Sequence, residues 1–184
     1  MDKTRQNSSA EKNYKKTLAN YFAKKNLYWQ TIYNPKHQQG NLFMNAHIRT
    51  RKETVLNLLD NCSETAALQI LDMGCGTSAL MKDILNRGHQ VVGIDICPEM
   101  LAAAKKSVKK YFSKKAFLSC ADIEKLPFKD NSFDVVTCVG VIEYLYNEDS
   151  GLREIKRIIK DSGFLIVELP NMIKLNKMWI QNFI

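Results

Sequence analysis

The sequence lacks any long apolar run. No segment of the 184 residues reaches the roughly 18 consecutive apolar residues that a membrane-spanning helix needs. The first 16 residues are polar and lack the apolar centre of a secretory signal. We therefore expect a cytoplasmic chain without a membrane span. Its ordinary composition, 45% hydrophobic and 25% charged residues, predicts a globular domain plus an extension.

Close cysteine pairs are also absent. The chain has five cysteines: Cys62, Cys75, Cys97, Cys120 and Cys138. Neighbouring cysteines are 13 to 23 positions apart, whereas zinc sites and redox motifs need two cysteines close together in the sequence. We expect reduced thiols that pack as small apolar side chains, and no bound metal.

Acidic residues are scarce at the start of the chain. Residues 1–60 hold 11 Lys and Arg but 4 Asp and Glu, whereas residues 61–184 hold 16 and 15. Such a basic segment can hold an anionic substrate, a membrane surface or nucleic acid. We favour a solvated helix face, because the lysines alternate with helix-forming residues and no nucleic-acid-binding module is recognisable.

Hydrophobic periodicity divides the chain into helices and strands. Apolar side chains at three- and four-residue spacing predict helices over 11–33, 46–59, 78–86, 98–111 and 150–160. Short apolar runs predict strands over 68–73, 89–94, 116–120, 133–139 and 163–169. This alternation requires right-handed crossovers and a mostly parallel sheet covered on both faces. The fold class is therefore α/β, a Rossmann-like doubly wound αβα domain with an N-terminal helical extension.

A glycine turn joins the first predicted strand to its helix. Asp72 stands two residues before Gly74, and Gly76 follows. The glycines permit a sharp turn and a close approach of a ligand to the main chain. A dinucleotide would place its pyrophosphate here, but the charge of Asp72 opposes an anion and suits a ligand with positive charge. Ala79 nevertheless completes a dinucleotide spacing, which leaves an NAD-dependent oxidoreductase open.

Two more acids follow later strands. Asp95 ends the second strand, so it emerges at the same sheet edge as Asp72 and can accept hydrogen bonds from both ribose hydroxyls. Asp122 follows the third strand, ahead of a Leu-Pro-Phe turn at 126–128 and a Phe-Asp-Val-Val strand at 133–136.

Together these motifs resemble the class I S-adenosylmethionine-dependent methyltransferases, in the small-molecule branch that includes quinone and tetrapyrrole methyltransferases. The resemblance covers about residues 46–171, although Ser78 stands where the third glycine of the family motif usually lies. It implies S-adenosylmethionine as cofactor, S-adenosylhomocysteine as product and displacement at the sulfonium methyl. The resemblance does not fix the acceptor, for which we expect a small molecule that is methylated at oxygen.

The resemblance also assigns roles to residues. Asp122 would accept from the adenine amine beside the backbone of Ile123, and Ile96 and Met100 would pack on the ring. The full predicted cofactor set is Asp72, Gly74, Cys75, Gly76, Asp95, Ile96, Met100, Asp122, Ile123, Val139 and Tyr33.

On the acceptor side the candidates are Glu143, Tyr144 and Trp29. Many relatives carry Glu-His where this chain has Glu143-Tyr144, so no histidine base is identified and the catalytic residue stays unassigned. The N-terminal helices would form a lid over the cofactor. Arg49 or Arg51 could meet the methionine carboxylate, although a solvent-facing arginine is the commoner outcome.

The predicted organisation is a lid at 1–44, a cofactor domain at 45–170 and the start of a truncated C-terminal segment at 171–184. The truncation is expected because the family sheet normally has seven strands, five are predicted here, and the tail is apolar. Three alternatives stay open: a non-catalytic cofactor-binding module, an NAD-dependent oxidoreductase and a nucleic-acid methyltransferase. The sequence does not define the oligomeric state.

Overall fold

Helices and strands alternate along the chain. The computed structural model describes residues 3–32, 42–62, 66–111, 115–169 and 177–182. The helices are α1 (Lys3–Ile32), α2 (Leu42–Asp60), α3 (Ala79–Asn86), α4 (Pro98–Ser107) and α5 (Glu148–Ile158). The strands are β1 (Gln69–Met73), β2 (Gln90–Asp95), β3 (Ala116–Cys120), β4 (Phe133–Cys138), β5 (Ile159–Leu169) and β6 (Lys177–Asn182). Short 3-10 turns cover Lys109–Tyr111 and Ile142–Tyr144.

The six strands form one sheet in the order β3-β2-β1-β4-β5-β6. Strands β1 to β5 are parallel, and β6 pairs antiparallel with β5. The Rossmann-like fold class and all five predicted strands are therefore confirmed. The sixth strand was not predicted. It lies in residues 171–184, which the sequence assigned to the start of a truncated region and of which 171–176 and 183–184 are outside the described residues.

The central strand β1 is buried on both faces. Ile70 packs in a cluster with side chains of α2 and α3, whereas Leu71 and Met73 pack in a second cluster with side chains of α5. Successive side chains of a strand point to opposite faces, so a run of buried residues needs helices on both sides. Each fully buried aliphatic side chain contributes roughly 1.5–3 kcal/mol through apolar burial. The core therefore fixes where β1 ends and its loop begins.

Helix α1 lies across the loops that leave the carboxyl ends of the strands. Its Asn26 Nδ2 donates to the backbone oxygen of Glu99 at the start of α4, at 2.8 Å. Its Phe22 ring meets Tyr144 edge to face, with centroids 5.2 Å apart. Helix α1 therefore covers one edge of the sheet.

Among the helices in the described ranges, none is long and apolar enough to cross a membrane.

Candidate cofactor site

A cavity opens at the carboxyl edge of the sheet, beneath α1 and α2. Its wall includes ten of the predicted cofactor residues: Asp72, Gly74, Cys75, Gly76, Asp95, Ile96, Met100, Asp122, Ile123 and Val139. Trp29 and Tyr144 from the predicted acceptor side also line it. Glu143 is exposed and is not part of the wall, and Tyr33 lies outside the described residues. The geometry thus brings together residues from four strand ends.

The loop after β1 depends on left-handed backbone conformations. Gly74 has φ +64°, and a Cβ built there would lie 2.3 Å from Val141 Cγ2, so only glycine fits. Ser78, which replaces the usual third glycine, also adopts a left-handed φ of 68°. Its hydroxyl donates to the backbone oxygen of Ala104 at 3.4 Å, which ties the loop to α4. The serine therefore keeps the glycine conformation and adds a tether.

Asp72 is the most unusual group in the wall. Its Oδ1 accepts from the Thr137 hydroxyl at 2.8 Å, and Thr137 is its register partner on β4. Its Oδ2 is buried and has no hydrogen-bond partner within the described part of the chain. Burial raises the pKa of Asp72 to about 7, opposed by the Thr137 hydrogen bond and assisted by the charge of Asp95. A carboxylate oxygen is therefore held at the cavity without a donor from the described residues.

Asp95 is fixed by its own turn. Its Oδ2 accepts from the backbone N–H of Gly76 at 2.9 Å, and its Oδ1 accepts from that of Cys97 at 2.8 Å. Burial raises the pKa of Asp95, and these backbone bonds oppose that rise. Each carboxylate oxygen has a further lone pair, so the side chain can still accept from a ligand. Asp95 also joins the glycine loop to the end of β2.

Asp122 meets the lid directly. Its Oδ1 accepts from the backbone N–H of Glu124 at 2.9 Å, and its Oδ2 lies 2.6 Å from the Lys15 ammonium of α1. Lys15 also lies 3.3 Å from Glu124 Oε2 and bonds Glu11. Burial alone would lower the pKa of Lys15, but hydrogen bonds to Asp122 and Glu11 and the surrounding carboxylates raise it. A lysine of the lid therefore occupies the carboxylate that the resemblance assigns to adenine.

Arg51 of α2 lies at the opposite side of the cavity wall. Its Nε is 2.7 Å from Glu168 Oε2 at the end of β5. Gly140 makes room for it, because a Cβ at that position would lie 1.7 Å from Arg51 Nη2. The Arg49 side chain, by contrast, is 68% exposed, and its Nε lies 3.9 Å from Glu53 Oε1, a longer ion pair than that of Arg51. Of the two arginines considered from the sequence, the structure brings Arg51 to the cavity.

Aromatic side chains line the lid side. Phe22 and Trp29 of α1 and Tyr144 after β4 contribute to the wall. The Tyr14 hydroxyl donates to the backbone oxygen of Tyr144 at 3.2 Å, which anchors α1 to this turn. Burial and the charge of Glu143 raise the pKa of Tyr144, so its phenol stays protonated at neutral pH. Tyr144 can donate a hydrogen bond but is not a base there.

Histidine does not reach the cavity within the described residues. The Nδ1 atom of His89 accepts from the backbone N–H of Leu68 at 3.2 Å, and burial lowers its pKa. His47 is exposed on α2, and His37 lies outside the described ranges. All five cysteines are unpaired. Across those same residues no cluster of three or more metal-ligating side chains occurs.

Several wall residues were missed by the sequence reasoning. They come from α1 and α2, from the loop after β1 and the start of α3, and from the turns after β3 and β4: Lys15, Leu18, Phe22, Ile48, Lys52, Val55, Thr77, Ala79, Leu80, Ala121, Glu124, Gly140, Val141 and Leu145. The loop residues are sequence neighbours of predicted site residues and could have been predicted for that reason. The α1 residues could not have been predicted, because only long-range packing shows which face of α1 turns inward.

A parallel sheet with acids and glycines at its carboxyl edge defines a Rossmann-like nucleotide-cofactor domain. Residues 71–167 match the model of a family described as a methyltransferase domain, which is just over half of the chain. The chain therefore belongs to this family, as a class I S-adenosylmethionine-dependent methyltransferase domain. S-adenosylmethionine is its cofactor.

Relatives and solved structures agree with this assignment. The chain is 34% identical over 132 residues to a demethylmenaquinone methyltransferase of Thermus thermophilus, covering 70% of this chain and 58% of that protein. It is 27% identical over 116 residues to a ubiquinone biosynthesis O-methyltransferase of Dechloromonas aromatica, covering 63% and 50%.

Magnesium protoporphyrin IX methyltransferase from Synechocystis, solved with bound S-adenosylhomocysteine, shares the fold. The TM-score is 0.73 at 20% identity, and the match covers 87% of this chain and 74% of that one. The chain spans 31% to 58% of the length of the curated relatives it matches.

Proposed function

We propose that the cavity binds S-adenosylmethionine and that the protein transfers a methyl group to oxygen of a small-molecule acceptor. The observation that carries this proposal is the buried Oδ2 of Asp72, which has no partner within the described chain. An unpaired buried carboxylate oxygen is costly, and the ammonium of the cofactor's methionine part offers the missing donor. The residues present therefore fit this cofactor.

At the nucleoside end, the chain supplies acceptors and an apolar slot. Asp95, held by two backbone N–H groups, would accept from the ribose hydroxyls. Asp122 would accept from the adenine amine, beside the backbone of Ile123. Ile96 and Met100 line the cavity as apolar surfaces for the ring. A carboxylate acceptor suits the exocyclic amine of adenine and disfavours a base that presents an oxygen at that position.

At the methionine end, the chain offers charges of both signs. Asp72 would hold the ammonium and Arg51 the carboxylate, so a zwitterionic amino acid would be matched at both groups. Gly74 and Val139 would approach the same part with their backbones. Arg51 keeps its bond to Glu168, which holds the guanidinium in place.

The chain's contribution to methyl transfer is alignment and exclusion of water. When bound, the cofactor supplies an electrophilic methyl group on a sulfonium. Trp29, Phe22 and Tyr144 would form an aromatic wall that orients an acceptor, and α1 would keep water out. Tyr144 stays protonated and would donate a hydrogen bond to the acceptor, with no base assigned. Two O-methyltransferases among the relatives support oxygen as the methylated atom, and a sterol 4-C-methyltransferase among them makes carbon the alternative.

The proposed organisation keeps residues 1–44 as a lid and 45–170 as the cofactor domain. Its support is that α1 contributes both Lys15 and Phe22 to the cavity wall. We also infer a reducing, cytoplasmic setting, because five free thiols suit that compartment.

Two measurements test the proposed function. Calorimetry with S-adenosylhomocysteine and with NAD should give binding of the first alone. A methyl-transfer assay over phenols, carboxylic acids and amines should then show turnover with an oxygen acceptor. Binding without turnover by this chain and by a longer form would instead favour a non-catalytic module. Absence of S-adenosylhomocysteine binding would contradict the proposal.

A further inference from the structure

Lys15 stands between the lid and the predicted adenine contact. Its side chain is 13% exposed, although lysine is normally solvated. It approaches three carboxylates: Asp122 at 2.6 Å, Glu124 at 3.3 Å, and Glu11 on its own helix. The contacts to Asp122 and Glu11 are hydrogen bonds and the contact to Glu124 is an ion pair, so one ammonium is surrounded by three carboxylates.

Both oxygens of Asp122 are engaged in this arrangement. The backbone N–H of Glu124 bonds Oδ1, and Lys15 bonds Oδ2. Each oxygen has a second lone pair, but an adenine amine that approaches Oδ2 meets the Lys15 ammonium and must share that oxygen with it or displace it. Loss of Asp122 would not strand the ammonium, because Glu124 and Glu11 remain within reach.

Glu124 is fixed independently of Lys15. Its Oε1 accepts from the backbone N–H of Tyr146 at 2.7 Å, and its side chain is only 6% exposed. Tyr146 in turn packs against Tyr14 of α1, with ring centroids 5.6 Å apart. An ammonium that moves off Asp122 therefore finds a rigid, negatively charged neighbour on the same loop.

We propose that Lys15 is a gating residue of the adenine subsite, which yields Asp122 to the adenine amine and keeps Glu124 and Glu11. This inference rests on the proposed function, and it adds Lys15 as a competitor of the adenine amine for Asp122. Lys15 lowers nucleoside affinity by occupying the acceptor, and in return it holds α1 over the cavity. Cofactor affinity and the position of α1 are then coupled through one side chain.

The test compares Lys15→Met with Lys16→Met, a matched control on the exposed face of α1. Calorimetry with S-adenosylhomocysteine should give roughly three- to five-fold tighter binding to K15M than to the natural chain, the range of a partly exposed ion pair. K16M should bind like the natural chain. Weaker or unchanged binding by K15M would overturn the gate.

A double-mutant cycle locates the effect. In an Asp122→Asn background the oxygen that Lys15 occupies is no longer part of a carboxylate, so adding K15M should change affinity little. An equal K15M effect in both backgrounds would show that Lys15 acts elsewhere and would overturn the proposal. Raising the salt concentration should tighten binding to the natural chain but not to K15M, because salt screens the ion pair.

Hydrogen exchange gives a readout that needs no cofactor. Amides of α1 should exchange faster in K15M than in K16M, and equal rates would contradict the holding role. If the natural chain and K15M bind S-adenosylhomocysteine with the same affinity, the gating role of Lys15 is overturned and the proposed function is not. If neither chain binds S-adenosylhomocysteine, the proposed function fails as well. Circular dichroism melting checks that each variant is folded.

Discussion

Two clusters of charge in this molecule differ in how completely they are paired. Arg157 of α5 donates to the backbone oxygens of Phe128 and Leu126 and to Asp130, at 2.7, 3.1 and 2.8 Å. Its partner Glu154 also accepts from the backbone N–H of Leu126 at 2.7 Å. The cluster around Asp72 instead leaves Oδ2 without a donor in the described chain.

The pKa shifts of the two clusters have opposite signs. Hydrogen bonding from Arg157 lowers the pKa of Glu154, so its ionised form adds stability that is lost as the pH falls through the lowered pKa. Burial raises the pKa of Asp72 to about 7, so its ionised form reduces stability. One cluster thus clamps a turn, and the other contains the carboxylate oxygen that we propose a ligand occupies.

The substitution Asp72→Asn tests this comparison with the largest expected effect. The amide retains an acceptor for Thr137 but removes the charge, so S-adenosylhomocysteine affinity should fall roughly 30- to 100-fold. Calorimetry measures this loss, with the exposed Asp130→Asn as control. Unfolding in urea at pH 8 should show that Asp72→Asn is at least as stable as the natural chain. Full affinity in this variant would remove the basis of the proposed function.

A smaller effect is expected at Arg51. Replacing it with Met should weaken S-adenosylhomocysteine binding by roughly tenfold through loss of the carboxylate partner. Binding of methylthioadenosine, which lacks the amino-acid part, should change little. Arg49→Met is the matched control, because Arg49 is 68% exposed. Equal losses for both ligands would place Arg51 outside the methionine end.

Arg157→Ala tests the fully paired cluster. It should lower the free energy of unfolding by about 1 kcal/mol, since Arg157 is partly exposed and Glu154 retains its backbone donor. Urea denaturation measures the change, and calorimetry should give unaltered S-adenosylhomocysteine affinity. A large loss of affinity with normal stability would reverse the roles assigned to the two clusters.

The parts of the site that the sequence predicted follow from strand geometry. Asp72 and Asp95 end neighbouring parallel strands, and Asp122 follows the next one, so local patterns sufficed to place them at one edge. The core strands could also be predicted from the sequence, because a parallel strand that is buried on both faces is a short continuous apolar run.

The lid and the last strand could not be predicted in the same way. Lys15 and Asp122 are 107 positions apart, and no periodicity in α1 shows which acid its lysine meets. The sequence pattern of residues 177–182 did not predict a strand, because the segment forms β6 by pairing with β5, which is distant information that the pattern lacks. The predicted helix 98–111 is divided into α4 and the 3-10 turn Lys109–Tyr111, a boundary that local propensity does not fix.

The pH dependence of ligand binding tests the central role of Asp72 most directly. Its folded pKa of about 7 lies above the ordinary value of 3.8, so the cofactor-free chain loses stability from this group as the pH rises through 7. An ammonium needs the ionised form, so S-adenosylhomocysteine affinity should rise about tenfold between pH 6 and 8. Methylthioadenosine affinity should stay flat across that range. Identical pH profiles for the two ligands would contradict the account.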